Sequence, residues 1–238
     1  MLACFGGVAL YLFPLPDVKE LKRRNPATTA YMELRREQAQ ARGRKFRPDF
    51  RWVSYGAISP HLVSAVLVSE DGDFYRHHGV DWEQLRLAAL QNLKRRRFAF
   101  GGSTITQQTA RNLYLSPSKN PFRKLKEILI ARRMERELGK RRILELYLNI
   151  AEWGRGIFGA EAASRAYFGK SAASLAPEEA AALAAVLPSP RRWNPAAPGR
   201  YVSMRSDTIL DRMRRSGYLV DDEAEYEEEP ARESSAKP

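Results

Sequence analysis

Between residues 62 and 68 the chain is apolar at almost every position: Leu62, Val63, Ala65, Val66, Leu67 and Val68 are interrupted only by Ser64. Ser59 precedes this run as a helix cap and Pro60 suits the first helical position, so the pattern predicts a helix buried on nearly every face. The run ends in SEDGDFYRHHG, residues 69–79. A buried helix ending in Glu70 and Asp71 brings two carboxylates to the rim of the core, where lost hydration raises a pKa and makes a glutamate a usable base. The plain alternative is a pair of solvated acids, since negative charge is disfavoured at a helix C-terminus.

Other periodic stretches predict further helices. Asp81-x-x-Gln84 has the capping-box pattern, and Trp82, Leu85, Ala89 and Leu93 share a face expected to join the core. Residues 140–149, KRRILELYLN, place Ile143, Leu144, Tyr147 and Leu148 inward with Glu145 and Asn149 between them, a structural pattern. Residues 176–187 are Ala-rich, start with Pro177 and two glutamates, and stop at Pro188. A last amphipathic helix over 202–216 ends at Gly217. Before the apolar run, residues 17–57 form a polar, Arg-rich connector with an amphipathic piece at 31–40 and an extended piece near 46–55.

The chain starts differently. Residues 1–16 carry no charge, but residues 2–15 as a helix span only about 21 Å against roughly 30 Å of hydrocarbon, which suggests part of a membrane span. A signal-peptide core is the rival, without a basic leader or an evident cleavage site. Lys19, Lys22, Arg23 and Arg24 follow, and the positive-inside rule then places the body in the cytoplasm.

Composition adds a charge bias. The 238 residues are 44% hydrophobic, enough for a core, with a net charge of +12. Residues 221–238 hold eight acids and two bases, an acidic tail expected to be disordered, so the body is more cationic than the total. That favours an anionic partner such as nucleic acid, phospholipid or a phosphorylated substrate. The single cysteine, Cys4, excludes a disulfide framework or a cysteine metal site within one chain.

Three polar blocks carry candidate chemistry. Residues 91–100, QNLKRRRFAF, set four consecutive bases beside two aromatics: a nucleic-acid patch, a basic loop at a membrane, or a solvated loop. In GGSTITQQ, residues 101–108, the glycines allow close backbone approach. Ser103 or Thr104 caps the following helix, with Gln107 three residues after Thr104, and the hydroxyls and amides through Gln108 suit sugar hydroxyls or phosphate. Asn120 and Pro121 open another helix carrying RKLKE, in which Arg123 and Glu127 share a face and Lys124 and Lys126 flank them, a surface ion pair or a charged site. Two partial motifs fail. Ser116-Pro117-Ser118-Lys119 lacks the S-D-N and K-T-G partners of a penicillin-binding site, and Gly169-Lys170-Ser171 has Ser164 where a phosphate-binding loop needs its first glycine.

The blocks Glu70-Asp71-x-x-Phe74-x-x-His77-x-Gly79, GGSTITQQ, RKLKE, KRRILELYLN and RGIFGAEAASRAYFGK, in this order over roughly residues 55–213, closely resemble the peptidoglycan glycosyltransferase family. The resemblance implies a mainly α fold, a lysozyme-like two-lobed glycosyltransferase domain over 58–220 behind an N-terminal transmembrane stub. It implies a bacterial inner-membrane protein with the domain in the periplasm, which overrules the orientation drawn from the basic residues. It further implies that lipid II is polymerised with release of undecaprenyl pyrophosphate. Glu70 matches the family's base and Glu127 its second acid. Lys119, Arg123, Lys124, Lys126 and Arg111, where many relatives have lysine, are candidates for holding pyrophosphate, and Asp71, His77, Ser103, Thr104, Gln107 and Gln108 for binding substrate. No cofactor is required, although a divalent cation such as Mg2+ is admissible at the pyrophosphate. The implied partners are lipid II, the nascent glycan, membrane lipids and other cell-wall synthesis proteins, with no nucleic acid. A lysozyme-like glycan-cleaving enzyme and a basic nucleic-acid-binding module are the alternatives.

Overall fold

The computed structural model describes residues 12, 14–94, 102–116 and 120–219. Among them nine α-helices dominate: α1 (Ala30–Gln40), α2 (Pro60–Glu70), α3 (Trp82–Lys94), α4 (Ile105–Tyr114), α5 (Pro121–Glu137), α6 (Lys140–Ile150), α7 (Ala160–Phe168), α8 (Pro177–Val186) and α9 (Arg200–Arg215). The mainly helical expectation holds. Three short strands, β1 (Asp49–Phe50), β2 (Glu152–Gly154) and β3 (Ile157–Phe158), form a sheet in the order β1-β3-β2, with β1 parallel and β2 antiparallel to β3.

The helix starts follow local chemistry. Ser59 Oγ accepts from the His61 amide at 3.3 Å and donates to the Leu175 carbonyl at 2.9 Å, so the cap of α2 also ties it to the segment before α8. Thr104 and Gln107 complete a reciprocal capping box at α4, and Asn120 caps α5 with Pro121 at its first position.

Packing forms two sets. The small buried face of α8, Ala180, Ala181, Ala184 and Ala185, lets α2 and α9 approach on either side, while α4 packs against both α5 and α6. One continuous core joins them, containing the fully buried Trp153, Tyr147 and Phe74. Within α2, Leu62, Val63, Val66 and Leu67 are all buried, each contributing about 1.5–3 kcal/mol.

The connector is built into this core. Val18, Leu21 and Met32 are buried, and Arg35 donates from Nε and Nη2 to Glu152 Oε2 at 3.0 and 2.7 Å. Asn149, fully buried on α6, accepts from the Val53 amide at 2.9 Å and donates to the Val53 carbonyl at 3.0 Å, pairing with that backbone as a neighbouring strand does.

Helix α3 departs from expectation. Asp81 caps it, accepting from the Gln84 amide at 2.8 Å, but Trp82 is 62% and Leu93 76% exposed. Ala88 is buried, Ala89 is exposed, and only Leu85 of the predicted core face is drawn in, against Gly102. Periodicity identifies an apolar face without specifying that protein covers it. Gly102 is required there, since a Cβ would sit 2.9 Å from Leu85 Cα.

Of the expected stub over 1–16, residues 1–11 and 13 lie outside the described residues, as do residues 95–100 of the basic segment over 91–100 and the acidic tail. Among the described residues no helix is long and apolar enough to cross a membrane.

Candidate functional site

Glu70 ends α2 at the edge of the core. Its Oε2 accepts from Gln108 Nε2 at 2.9 Å, and its Oε1 lies 3.7 Å from Arg205 Nη2. The side chain is only 12% exposed. Burial raises its pKa above the ordinary value; the Gln108 hydrogen bond, Arg205 and Arg111 pull it partly back, and Asp71 adds to the rise. The result is a carboxylate that holds a proton more tightly than a solvated one.

Asp71 faces elsewhere. Its Oδ2 accepts from the Ile105 amide at 2.9 Å, the first N–H of α4, and its Oδ1 lies 2.9 Å from His77 Nε2. Since His77 Nδ1 accepts from the Gly79 amide at 3.2 Å, Nε2 carries the proton and donates to Asp71. Thr104 Oγ1 donates to the Gly79 carbonyl at 2.7 Å, completing a brace between the loop after α2 and the start of α4. Gly79 has φ +89° and a Cβ there would press on Ala131 O at 3.3 Å, so the loop closes against α5 only with glycine. Thr104 and Gln107, both buried, are committed to the cap of α4. Of GGSTITQQ, Ser103 meets Lys124, Gln108 meets Glu70 and Thr106 meets Glu135.

Helix α5 carries the second acid. Glu127 is fully buried and accepts from Arg123 Nη1 and Lys124 Nζ, each at 2.6 Å. The pair is internal, not a surface one. Lys124 Nζ also donates to Ser103 Oγ at 2.7 Å, joining RKLKE to the polar block before α4. Lys126 is half-buried one residue before Glu127, and Lys119 lies outside the described residues.

A cavity of about 400 Å³ joins these elements, lined by Gln108, Arg111 and Arg123 with Tyr147, Tyr31 and Glu152, and rimmed by Pro188 and Pro190. Tyr147 donates to Gln108 Oε1 at 3.3 Å, and burial keeps its hydroxyl protonated by raising its pKa well above the ordinary value. Arg205, Tyr31, Glu152 and the role of Tyr147 were missing from the sequence reading. A signal for Arg205 exists: it sits three residues after Val202 and four before Ile209, a cation on the buried stripe of α9. Nothing comparable marks Glu152, whose buried position depends on the β2–β3 turn.

A recessed carboxylate with a raised pKa, joined through Gln108 to a cavity lined by Arg111 and Arg123, is an arrangement suited to acid–base chemistry beside an anionic group. The family model described as Transglycosylase matches residues 37–214. Among similar proteins, the biosynthetic peptidoglycan transglycosylase of Nitrosospira multiformis is 46% identical over 79% of this chain and 82% of its own length. That of Aromatoleum aromaticum is 51% identical over 71% and 74%, and that of Laribacter hongkongensis 45% over 90% and 92%. The chain belongs to the transglycosylase family, and it is a glycosyltransferase.

Proposed function

We propose that the protein builds peptidoglycan at the cell envelope by polymerising lipid II, with Glu70 as general base. The acceptor sugar's 4-hydroxyl oxygen attacks the anomeric carbon of the donor and forms a β-1,4 bond. Glu70 takes the hydroxyl proton, and the anomeric C–O bond breaks with its electron pair leaving on undecaprenyl pyrophosphate. The pyrophosphate departs as a stable anion, so cations and not an acid serve it: Arg111 and Arg123 from the cavity wall and Lys124 beside Ser103. Glu127 orients Arg123 and Lys124 and moves no proton. Among the described residues no three His, Cys, Asp or Glu side chains converge as metal ligands, so a divalent ion such as Mg2+ would be held mainly by substrate phosphate.

The observation that carries this reading is the desolvated Glu70 carboxylate, steered by Gln108, beside that cationic cleft. The test is incubation of detergent-solubilised protein with lipid-linked disaccharide-peptide, with products separated by length. Polymer from the native protein and none from Glu70→Gln is expected. Near-native polymerisation by Glu70→Gln overturns the base assignment, and no polymer from the native protein overturns the reaction.

A further inference from the structure

On the side of α5 turned away from the core, positions 122, 125, 129, 132 and 136 recur at helical spacing as Phe122, Leu125, Leu129, Arg132 and Arg136. Phe122 and Leu125 are 42% and 43% exposed, and the two arginines are exposed as well. The stripe is therefore apolar at one end and doubly cationic at the other, along a helix about 25 Å long. At the cationic end a second cavity, of about 360 Å³, is lined by Leu15, His78, Leu129, Arg132, Glu135 and Arg136.

The charge of this pocket is not cancelled from within. Glu135, the only acid among its described lining residues, is occupied by Lys140 Nζ at 2.8 Å and Thr106 Oγ1 at 2.6 Å. Neither Arg132 nor Arg136 makes a hydrogen bond or ion pair among the described residues. Two guanidiniums one helical turn apart, with an imidazole across from them, present N–H donors to a phosphate. Leu15 and Leu129 supply an apolar wall, and Leu15 belongs to the uncharged segment that opens the chain.

We propose that this pocket binds the phosphodiester headgroup of an anionic membrane phospholipid, with the acyl chains running along Leu129, Leu125 and Phe122. This rests on the reading that the enzyme works on a lipid-linked substrate at a membrane. The order of the stripe supports the lipid as the source of phosphate. Apolar positions lead away from the arginines as acyl chains lead away from a headgroup, whereas free phosphate needs no such wall. None of the groups belongs to the cleft around Glu70.

The test compares binding of the full chain to phosphatidylglycerol-containing and purely phosphatidylcholine vesicles. The variants are Arg132→Gln with Arg136→Gln, and a charge-matched control, Arg44→Gln with Arg200→Gln. The pocket variant is expected to lose about 20-fold in affinity for the anionic vesicles, with binding to the neutral ones unchanged. The control is expected to lose much less, and inorganic phosphate is expected not to compete. Equal losses in the two variants overturn the pocket in favour of diffuse charge. Indifference of the native protein to lipid charge overturns it as well, and competition by inorganic phosphate at low concentration makes it a free-phosphate site. Polymerisation in detergent, measured on the same preparations, is expected to be unchanged. A native protein that polymerises but ignores lipid charge loses only this proposal, and one that does not polymerise loses the reaction independently.

Discussion

Gln108 fixes Glu70 from one side only: its Nε2 donates to Glu70 Oε2 at 2.9 Å while its Oε1 is held by the Tyr147 hydroxyl at 3.3 Å. The amide therefore presents its donor end to the carboxylate, an arrangement that favours the ionised form. Gln108→Ala removes that bias. The acid limb of the kcat–pH profile, already above the ordinary 4.5 of a glutamate, should move to higher pH. Tyr147→Phe, which only frees the amide to rotate, should move it less. A limb that shifts downward, or stays put in both variants, contradicts the arrangement.

Arg205 makes an independent prediction of the same sign. Its charge lowers the Glu70 pKa, so Arg205→Gln should also raise the acid limb. Steady-state rates across pH in the single and double variants with Gln108→Ala give the comparison, and near-additive shifts are expected because the two groups contact different oxygens.

Stability and activity oppose each other at Glu70. The folded state holds the Glu70 proton more tightly than the unfolded chain does. The stabilisation is therefore full below the ordinary pKa and is lost as pH rises through the raised one. At neutral pH Glu70→Gln should unfold at a higher temperature than the native protein, with the gap narrowing below about pH 4.5. Polymerisation should fall about 100-fold or more in the same variant. Calorimetry showing a lower Tm at neutral pH is the contrary result.

Glu127 couples to two cations, so its removal is not a simple loss of charge. Glu127→Gln should retain measurable turnover with weakened donor saturation, and Arg123→Ala should leave a buried carboxylate with Lys124 alone, costing about 3 kcal/mol or more of stability. The double variant should be less impaired than the product of the singles. A Glu127→Gln defect confined to kcat, multiplicative with Arg123→Ala, assigns this acid a chemical role instead.

Asp71→Asn separates bracing from binding. Its carboxylate meets the α4 amide and His77, so the variant should lose about 1–2 kcal/mol in denaturant unfolding while KM for the donor changes little.

Much of this was legible in the chain itself. The α2 run, the capped start of α4 and the Pro188 stop each depend on neighbours within a few residues, where local rules act. Glu70 stood out because an acid followed a nearly continuous apolar run, but that pattern alone fits a pair of solvated acids equally well. Glu127 was ambiguous, since i,i+4 spacing is the same for an exposed pair and for one sealed beneath α4. The role of α3 was misjudged for the related reason that an apolar face is silent about its cover. Arg205 meets Glu70, and Tyr31 lines the cavity beside Gln108, each from a helix far from α4 in sequence, and only packing brings them there.

The double hydrogen bond between Asn149 and Val53 has a mechanical consequence. Tension applied to the chain at residue 18 would not be absorbed by a slack tether before reaching the catalytic body. It would be borne by Arg35 at Glu152 and by Asn149 at Val53, two residues along the same helix from Tyr147, which steadies Gln108. The connector over residues 18–53 is a strut, and whatever tilts its outer end tilts the floor of the cleft.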